Sequence, residues 1–212
     1  MSLAGTVFVV DDDAGVRKAL TRLLRASGRD VRAFATPQAF LDGHDPSEPG
    51  CLVLDVALPQ QSGLDLHRDL AASGAERPVV FISGQGDIPT SVRAMKAGAV
   101  DFLTKPFDES QLLAAVEAAI EKDARTRVTQ AERRRVADRL AKLTARERQV
   151  LEHVVAGQLN KHIASELGTV EKTIKVHRGR IMRKMGAVSL IELVRMADLA
   201  GIRPSPVPVP AA

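Results

Sequence analysis

Five short apolar runs rich in β-branched residues, TVFVV, DVRAF, CLVLD, PVVFIS and VDFLTK, recur through the first half of the chain with helix-like segments between them. Those segments are AGVRKALTRLLRAS, the short PQAFL, GLDLHRDLAAS and IPTSVRAMKAG, and DESQLLAAVEAAIEK follows the last run with Asp108 and Gln111 at capping-box spacing. Five strands alternating with five helices predict an α/β doubly wound parallel sheet covered on both faces. In such sheets a ligand sits outside the carboxyl ends of the strands.

Charge gathers at those ends. Asp11, Asp12 and Asp13 follow the first run, and Asp55 closes the third. If those strands are neighbours, Asp11, Asp12 and Asp55 converge on one crevice. Two such charges about 5 Å apart repel by roughly 3 kcal/mol at an effective dielectric near 20, so something cationic must compensate. The candidates are a hard divalent ion, which prefers carboxylate oxygens, and Lys105 at the end of the fifth run. One of Asp12 and Asp13 is expected to cap the following helix instead. Ser83 and Gly84 end the fourth run, offering a hydroxyl and an unobstructed N–H to an anion. Carboxylates, a metal, a lysine, a hydroxyl and a free amide fit together around a phosphoryl group accepted by one carboxylate.

A length of 212 residues allows two modest domains, and 45% hydrophobic with 26% charged residues is an ordinary globular composition. No apolar run reaches the roughly 18 residues of a membrane span, and the N-terminus lacks a signal peptide's pattern, so a cytoplasmic protein without a membrane partner is expected. The single cysteine, Cys51, reads as a core residue. The charge is uneven: residues 1–122 carry 12 Lys and Arg against 17 Asp and Glu, about −5, whereas residues 123–212 carry 18 against 9, about +9. An acidic front and a basic back suggest separate jobs, the second on a polyanion or merely a solvated basic surface.

From Asp108 to Leu140 there is no Gly or Pro, so the last helix of the first half is expected to run on into a semi-rigid, largely solvated linker. Thr144 and Glu147 then form a second capping-box spacing. Further on, a helix from about Asn160 to Leu167, a turn at Gly168 and a helix to Met185 bring Ile163, Ala164, Leu167, Ile174 and Ile181 together across a tight turn. The outward face of the last helix collects Lys172, Lys175, Val176, Gly179, Arg180 and Arg183. That is the helix-turn-helix arrangement, with the second helix placed for the major groove.

VVDDD, LVLDVALPQQSG, FISG and FLTKPF, in this order, resemble the receiver domain of bacterial two-component response regulators. The resemblance implies Asp55 as phosphoacceptor, a phospho-histidine kinase as donor and Mg2+, for which Mn2+ can substitute, as cofactor. It implies Asp12, Asp55 and the carbonyl oxygen of Ala57 as direct metal ligands and Asp11 as a ligand through water. Lys105 would bond the phosphate and precede a cis peptide to Pro106. Ser83 and Phe102 stand where many receivers carry a Thr and a Tyr, and form the switch. Ala57 replaces a side chain that is polar in many receivers.

LTARERQVL, NKHIASELG and TIKVHRGRIMRKMG resemble the LuxR-type DNA-binding domain of the NarL/FixJ branch. By position, Lys175 and Val176 would approach base edges, Thr173, Arg178, Arg180 and Lys184 would bind DNA phosphates, Lys172 would share the DNA-binding face, and Gly179 would allow close approach to the groove. Two departures concern caps: Thr169 precedes Val170 where an apolar residue usually precedes Ser or Thr, weakening or displacing a cap by about 1 kcal/mol, and Leu159 leaves Asn160 as a substitute cap.

The resulting organisation is a receiver over 1–122, a helical linker over 123–142, a DNA-binding domain over 143–203 and a Pro-rich disordered tail over 204–212. The expected function is a phosphorylation-activated transcriptional regulator. It has no enzyme activity beyond accepting and releasing its own phosphoryl group, and it meets RNA polymerase at its promoters. Dimerisation through the fourth helix, fifth strand and fifth helix, with Arg93, Lys96 and Asp101 as cross-dimer ions, would set two basic helices on a two-fold DNA site. The rivals are an aspartyl-phosphate phosphatase, which would want an acid where Ala57 stands, and a DNA binder indifferent to phosphorylation.

Overall fold

The computed structural model describes residues 5–59, 61–75, 77–84 and 88–202. The expected tail, 204–212, lies outside them. β1 (Thr6–Val10), β2 (Asp30–Phe34), β3 (Gly50–Asp55), β4 (Val79–Ser83) and β5 (Asp101–Thr104) form one parallel sheet in the order β2-β1-β3-β4-β5. Alternation along each strand divides the apolar side chains between two faces. Val7 and Val9 of β1 join Leu20 and Leu24 of α1 (Ala14–Ala26) and Leu112, Val116 and Ile120 of α5 (Glu109–Ala141). Phe8 and Val10 join Phe40 of α2 (Pro37–Gly43), Leu66 and Leu70 of α3 (Gly63–Ala72) and Ala94 of α4 (Ile88–Lys96). Each fully buried Val, Leu, Ile or Phe contributes roughly 1.5–3 kcal/mol, so this two-faced burial stabilises the sheet that presents the strand ends. Cys51 is buried within the first face.

The N-terminal ends of the strands are locked by polar contacts that the sequence did not suggest. Arg77 is 1% exposed, lies with its guanidinium 4.3 Å from the Phe8 ring centroid and donates to the carbonyls of Glu48 and Asp45. Asp123, buried on α5, accepts from Gly50 N at 2.9 Å and from Arg127 Nε at 2.7 Å. The Arg127 fork then donates to the carbonyls of Pro46, Ser47 and Glu48. These bonds bind the loop before β3 to α5 as far as Arg127.

The second unit runs from Val128. Its core gathers Val150, Leu151 and Val154 of α6 (Ala145–Val155), Ile163 and Ala164 of α7 (Asn160–Glu166), Ile174, Ile181 and Met185 of α8 (Glu171–Met185), and Leu193 and Met196 of α9 (Leu190–Leu199). Val136 and Leu140 from the end of α5 pack into it, and Arg139 donates to the carbonyl of Met185 at 2.8 Å. The expected linker, 123–142, is therefore not a solvated spacer along its length. Asp123 to Arg127 are held in the first unit and Val136 onward in the second, which leaves 128–135 as the exposed run. The apolar residues of α5 serve two separate cores, Val116 and Ile120 the first and Val136 and Leu140 the second, with Val128 left 68% exposed.

Candidate functional site

Asp11 directly follows β1, Asp55 is the last residue of β3 and Lys105 directly follows β5, so the sheet order brings all three to one edge. Carboxylate oxygens of Asp11, Asp12 and Asp55 lie within 4.8 Å of one another. Asp11 is wholly buried, Asp55 is 6% exposed and Asp12 faces solvent. Lys105 Nζ bridges the buried pair at 2.8 Å from Asp11 Oδ2 and 2.9 Å from Asp55 Oδ2. The other Asp55 oxygen accepts from Ala57 N at 3.1 Å, and the other Asp11 oxygen accepts from Asp13 N at 2.8 Å. Asp13 has the capping role expected for one of Asp12 and Asp13: its Oδ1 accepts from the amides of Gly15 and Val16 at the start of α1.

Burial pushes the Asp11 carboxyl above its usual range, and the hydrogen bond from Lys105 opposes that rise. Burial alone would lower the Lys105 ammonium, but its bonds to Asp11 and Asp55 outweigh the burial and hold it above its ordinary value. The Asp13 carboxyl is held low by its bonds from Val16 and Gly15. One lysine facing three carboxylates leaves a net negative charge. A set of converging, hard oxygen donors of this kind fits a divalent cation such as Mg2+.

Ser83, 2% exposed, ends β4, and its carbonyl accepts from Lys105 N at 2.7 Å, which ties the hydroxyl-bearing strand to the lysine. Gly84 beside it is exposed, with no atom within 4 Å of the position a Cβ would take. The Lys105–Pro106 peptide is cis. Phe102 is half-buried on β5, opposite Phe81, and packs against the Phe-rich face. Sequence reasoning passed over Gly63, the first residue of α3: a Cβ there would stand 2.2 Å from the carbonyl oxygen of Asp55. Only glycine lets α3 approach the strand end that carries this aspartate. The signal was present in QSGL, a glycine directly after Ser62, which caps α3 through Leu64 N.

Of the expected cross-dimer ions, Arg93 and Lys96 are exposed on α4, while the Asp101 carboxylate accepts from Phe102 N at 2.8 Å. A feature of the same helix went unread: Ile88, Val92 and Met95, spaced along one face, are 78%, 43% and 47% exposed.

In the second unit, Thr144 and Glu147 form the expected capping box. Gly168, at φ +61°, closes α7 in the left-handed conformation that a side chain resists. Lys172, Lys175, Val176, Gly179 and Arg180 are exposed on α8, and Thr173 is half-buried. Two expected DNA contacts are engaged within the fold. Arg178 donates to Asn160 Oδ1 at 3.2 Å, and Lys184 Nζ lies 2.6 Å from Oε2 of Glu147. Lys184 is thus not a free cation on the outward face; α8 turns it toward α6. Asn160 is likewise not a cap, because Leu159 occupies the cap position of α7 without a side-chain bond and the Asn160 carboxamide faces Arg178. Val170 heads α8, also with no side-chain cap, as the order of Thr169 and Val170 implied.

Comparison with known proteins agrees with this geometry. The family described as response regulator receiver domain matches residues 7–117, and that described as bacterial regulatory proteins, luxR family, matches residues 141–197. Nodulation protein W of Bradyrhizobium diazoefficiens is 46% identical over 95% of this chain and 88% of its own length. Transcriptional regulatory protein FixJ of Azorhizobium caulinodans is 47% identical over 94% of each chain. Among solved structures, response regulator StyR superposes with a TM-score of 0.80 at 45% identity, covering 92% of this chain and 98% of that one.

Proposed function

The chain belongs to the response regulators of the NarL/FixJ family, which join a receiver to a LuxR-type DNA-binding domain, and from that premise we propose that phosphoryl transfer to Asp55 governs its binding to promoters. The observation that carries this reading is the Lys105 bridge, 2.8 Å from Asp11 and 2.9 Å from Asp55, at the carboxyl edge of a parallel sheet. A sensor histidine kinase donates the group in the cytoplasm. An Asp55 oxygen attacks the phosphorus of its phosphohistidine, the new P–O bond forms as the P–N bond breaks, and the departing imidazole takes up a proton. Mg2+, or Mn2+ in its place, supplies neutralisation of the phosphoryl oxygens when held by Asp12, Asp55, the Ala57 carbonyl and, through water, Asp11. Lys105, already bonded to Asp55, holds the added anion in place, and the Ser83 hydroxyl and Gly84 N–H turn to it. Phe102 then packs further inward, biasing a two-state element.

The output is a homodimer. Ile88, Val92 and Met95 give α4 an apolar stripe beside Arg93 and Lys96, and a second copy of the same face is its self-complementary partner. Two copies of α8 then meet a two-fold DNA site through Lys172, Thr173, Lys175, Val176, Gly179 and Arg180, and the bound dimer meets RNA polymerase. Light scattering and gel-shift titration of wild type and Asp55→Asn, with Mg2+ and with or without beryllofluoride, test this. A wild-type shift from monomer to dimer with tighter operator binding, absent from the variant, is expected. Equal responses from the two proteins would remove Asp55 from the switch.

A further inference from the structure

The three consecutive carboxylates of the first strand end are held in different ways. Asp11 is fixed on every side: its N–H donates to the Phe34 carbonyl, Oδ1 accepts from Asp13 N and Oδ2 accepts from Lys105. Its carbonyl oxygen lies past the end of β1, beyond the last paired residue of the ladder, and accepts from Arg17 Nη1 at 2.7 Å. Asp13 is fixed as the cap of α1. Asp12, between them, is exposed, and its carboxylate has no hydrogen-bond or ion-pair partner among the described residues. Its place is therefore set only by the backbone on either side.

The Arg17 guanidinium takes the carbonyl of the peptide joining Asp11 to Asp12. On the other side the Asp13 carbonyl accepts the first main-chain bond of α1, from Arg17 N at 3.0 Å, so the side chain closes a loop that the helix backbone already anchors. A ring closes from the strand through the three aspartates to α1 and back. We propose that Arg17 is a positioning residue for the acidic site: by clamping the Asp11–Asp12 peptide it presents the Asp12 carboxylate to the divalent cation. The proposal rests on the reading of that site as a Mg2+ site.

Two effects of Arg17 have opposite signs, and this separates them. Its positive charge near the carboxylates works against a bound cation, so if charge were all it contributed, removing it would tighten Mg2+ binding. If it positions Asp12, removing it weakens binding, because groups that orient a metal's ligands typically govern affinity by 10-fold or more. Calorimetric titration of the full chain with Mg2+ decides the sign in wild type, Arg17→Gln, Arg17→Lys and Asp12→Asn. Arg17→Gln is expected to bind about tenfold more weakly, with partial recovery in Arg17→Lys, which keeps the charge and one donor. Amide exchange at Asp13 in the metal-free chain is expected to quicken in Arg17→Gln, since the bond from Asp13 N to Asp11 belongs to the same ring. Unchanged or tighter Mg2+ binding by Arg17→Gln overturns the proposal. If Arg17→Gln does not fold, Arg17→Lys decides alone: binding weaker than wild type supports the clamp, and equal binding overturns it. Asp12→Asn binding as wild type would instead strike at the metal-site reading itself.

Discussion

Lys184 Nζ stands 2.6 Å from Oε2 of Glu147, a carboxylate whose side chain is only 3% exposed, and the pair pins the last turn of α8 to the first turn of α6. Removing the ammonium strands a buried charge. Because Lys184 is itself about one-third exposed, the loss in Lys184→Met is discounted to about 2 kcal/mol, below that for a fully buried pair. Thermal denaturation is expected to show that loss. The salt dependence of DNA binding is expected to keep its slope, whereas a lysine on a DNA phosphate would take about 0.9 from it.

The same pair sets a pH dependence. The bond from Lys184 holds the Glu147 carboxyl below its ordinary value of 4.5. A depressed folded-state value means that the unfolded chain binds the proton first as pH falls. The contribution of Glu147 is thus complete well above 4.5 and is lost as pH drops through the folded-state value. Stability measured from about pH 6 to about pH 3 is expected to fall less steeply in Glu147→Gln than in wild type. Parallel curves would show that the pair contributes nothing to the acid limb.

Asp11, Asp55 and Lys105 were legible in the sequence because they occupy the ends of strands, and parallel topology sends those ends to one edge whatever the loops do. Glu147 was legible as a cap through the three-residue spacing to Thr144. Its bond to Lys184 was not, since 37 residues separate the two and the turn of α8 decides which lysines face outward. The Asp123–Arg127 clamp was hidden for another reason. Apart from each other, the partners of these residues are backbone groups of Gly50 at the start of β3 and of the loop before it, and backbone groups carry no sequence signal. Gly63 and Arg17 illustrate a related gap: one acts through a missing Cβ and the other on a carbonyl, so neither advertises chemistry by residue type.

Lys105 Nζ neutralises Asp11 and Asp55, two of the carboxylates that a divalent cation held at this edge would also neutralise. In Lys105→Met the buried carboxylates are left uncompensated. The metal-free variant is expected to melt below wild type, and a fixed Mg2+ concentration is expected to raise its Tm by more than it raises that of wild type, because stabilisation grows with affinity. An equal or smaller Mg2+ response would separate the lysine from the metal-binding oxygens.

The clamp on α5 predicts strong coupling. Arg127→Ala removes bonds to three carbonyls and leaves Asp123 buried without its cation, and Asp123→Ala strands the Gly50 amide and Arg127 Nε. Each is expected to cost the receiver about 2–3 kcal/mol in denaturant unfolding. The double variant is expected to cost less than the two losses added, by at least about 1 kcal/mol. Additive losses would mean that the ion pair itself is energetically idle.

Gly179 lies in the interior of α8 on its exposed face, and a Cβ there would meet nothing within 4 Å. A glycine in mid-helix costs roughly 1 kcal/mol relative to alanine, so Gly179→Ala is expected to raise Tm in the free protein. If α8 enters the major groove by this face, the bare backbone is what permits close approach, and the added methyl group is expected to weaken binding to a specific operator while it stabilises the fold. The two effects have opposite signs and come from one methyl group, so a general loss of structure cannot imitate them. A variant that is both more stable and equally tight on DNA would turn the Gly179 face of α8 away from the groove.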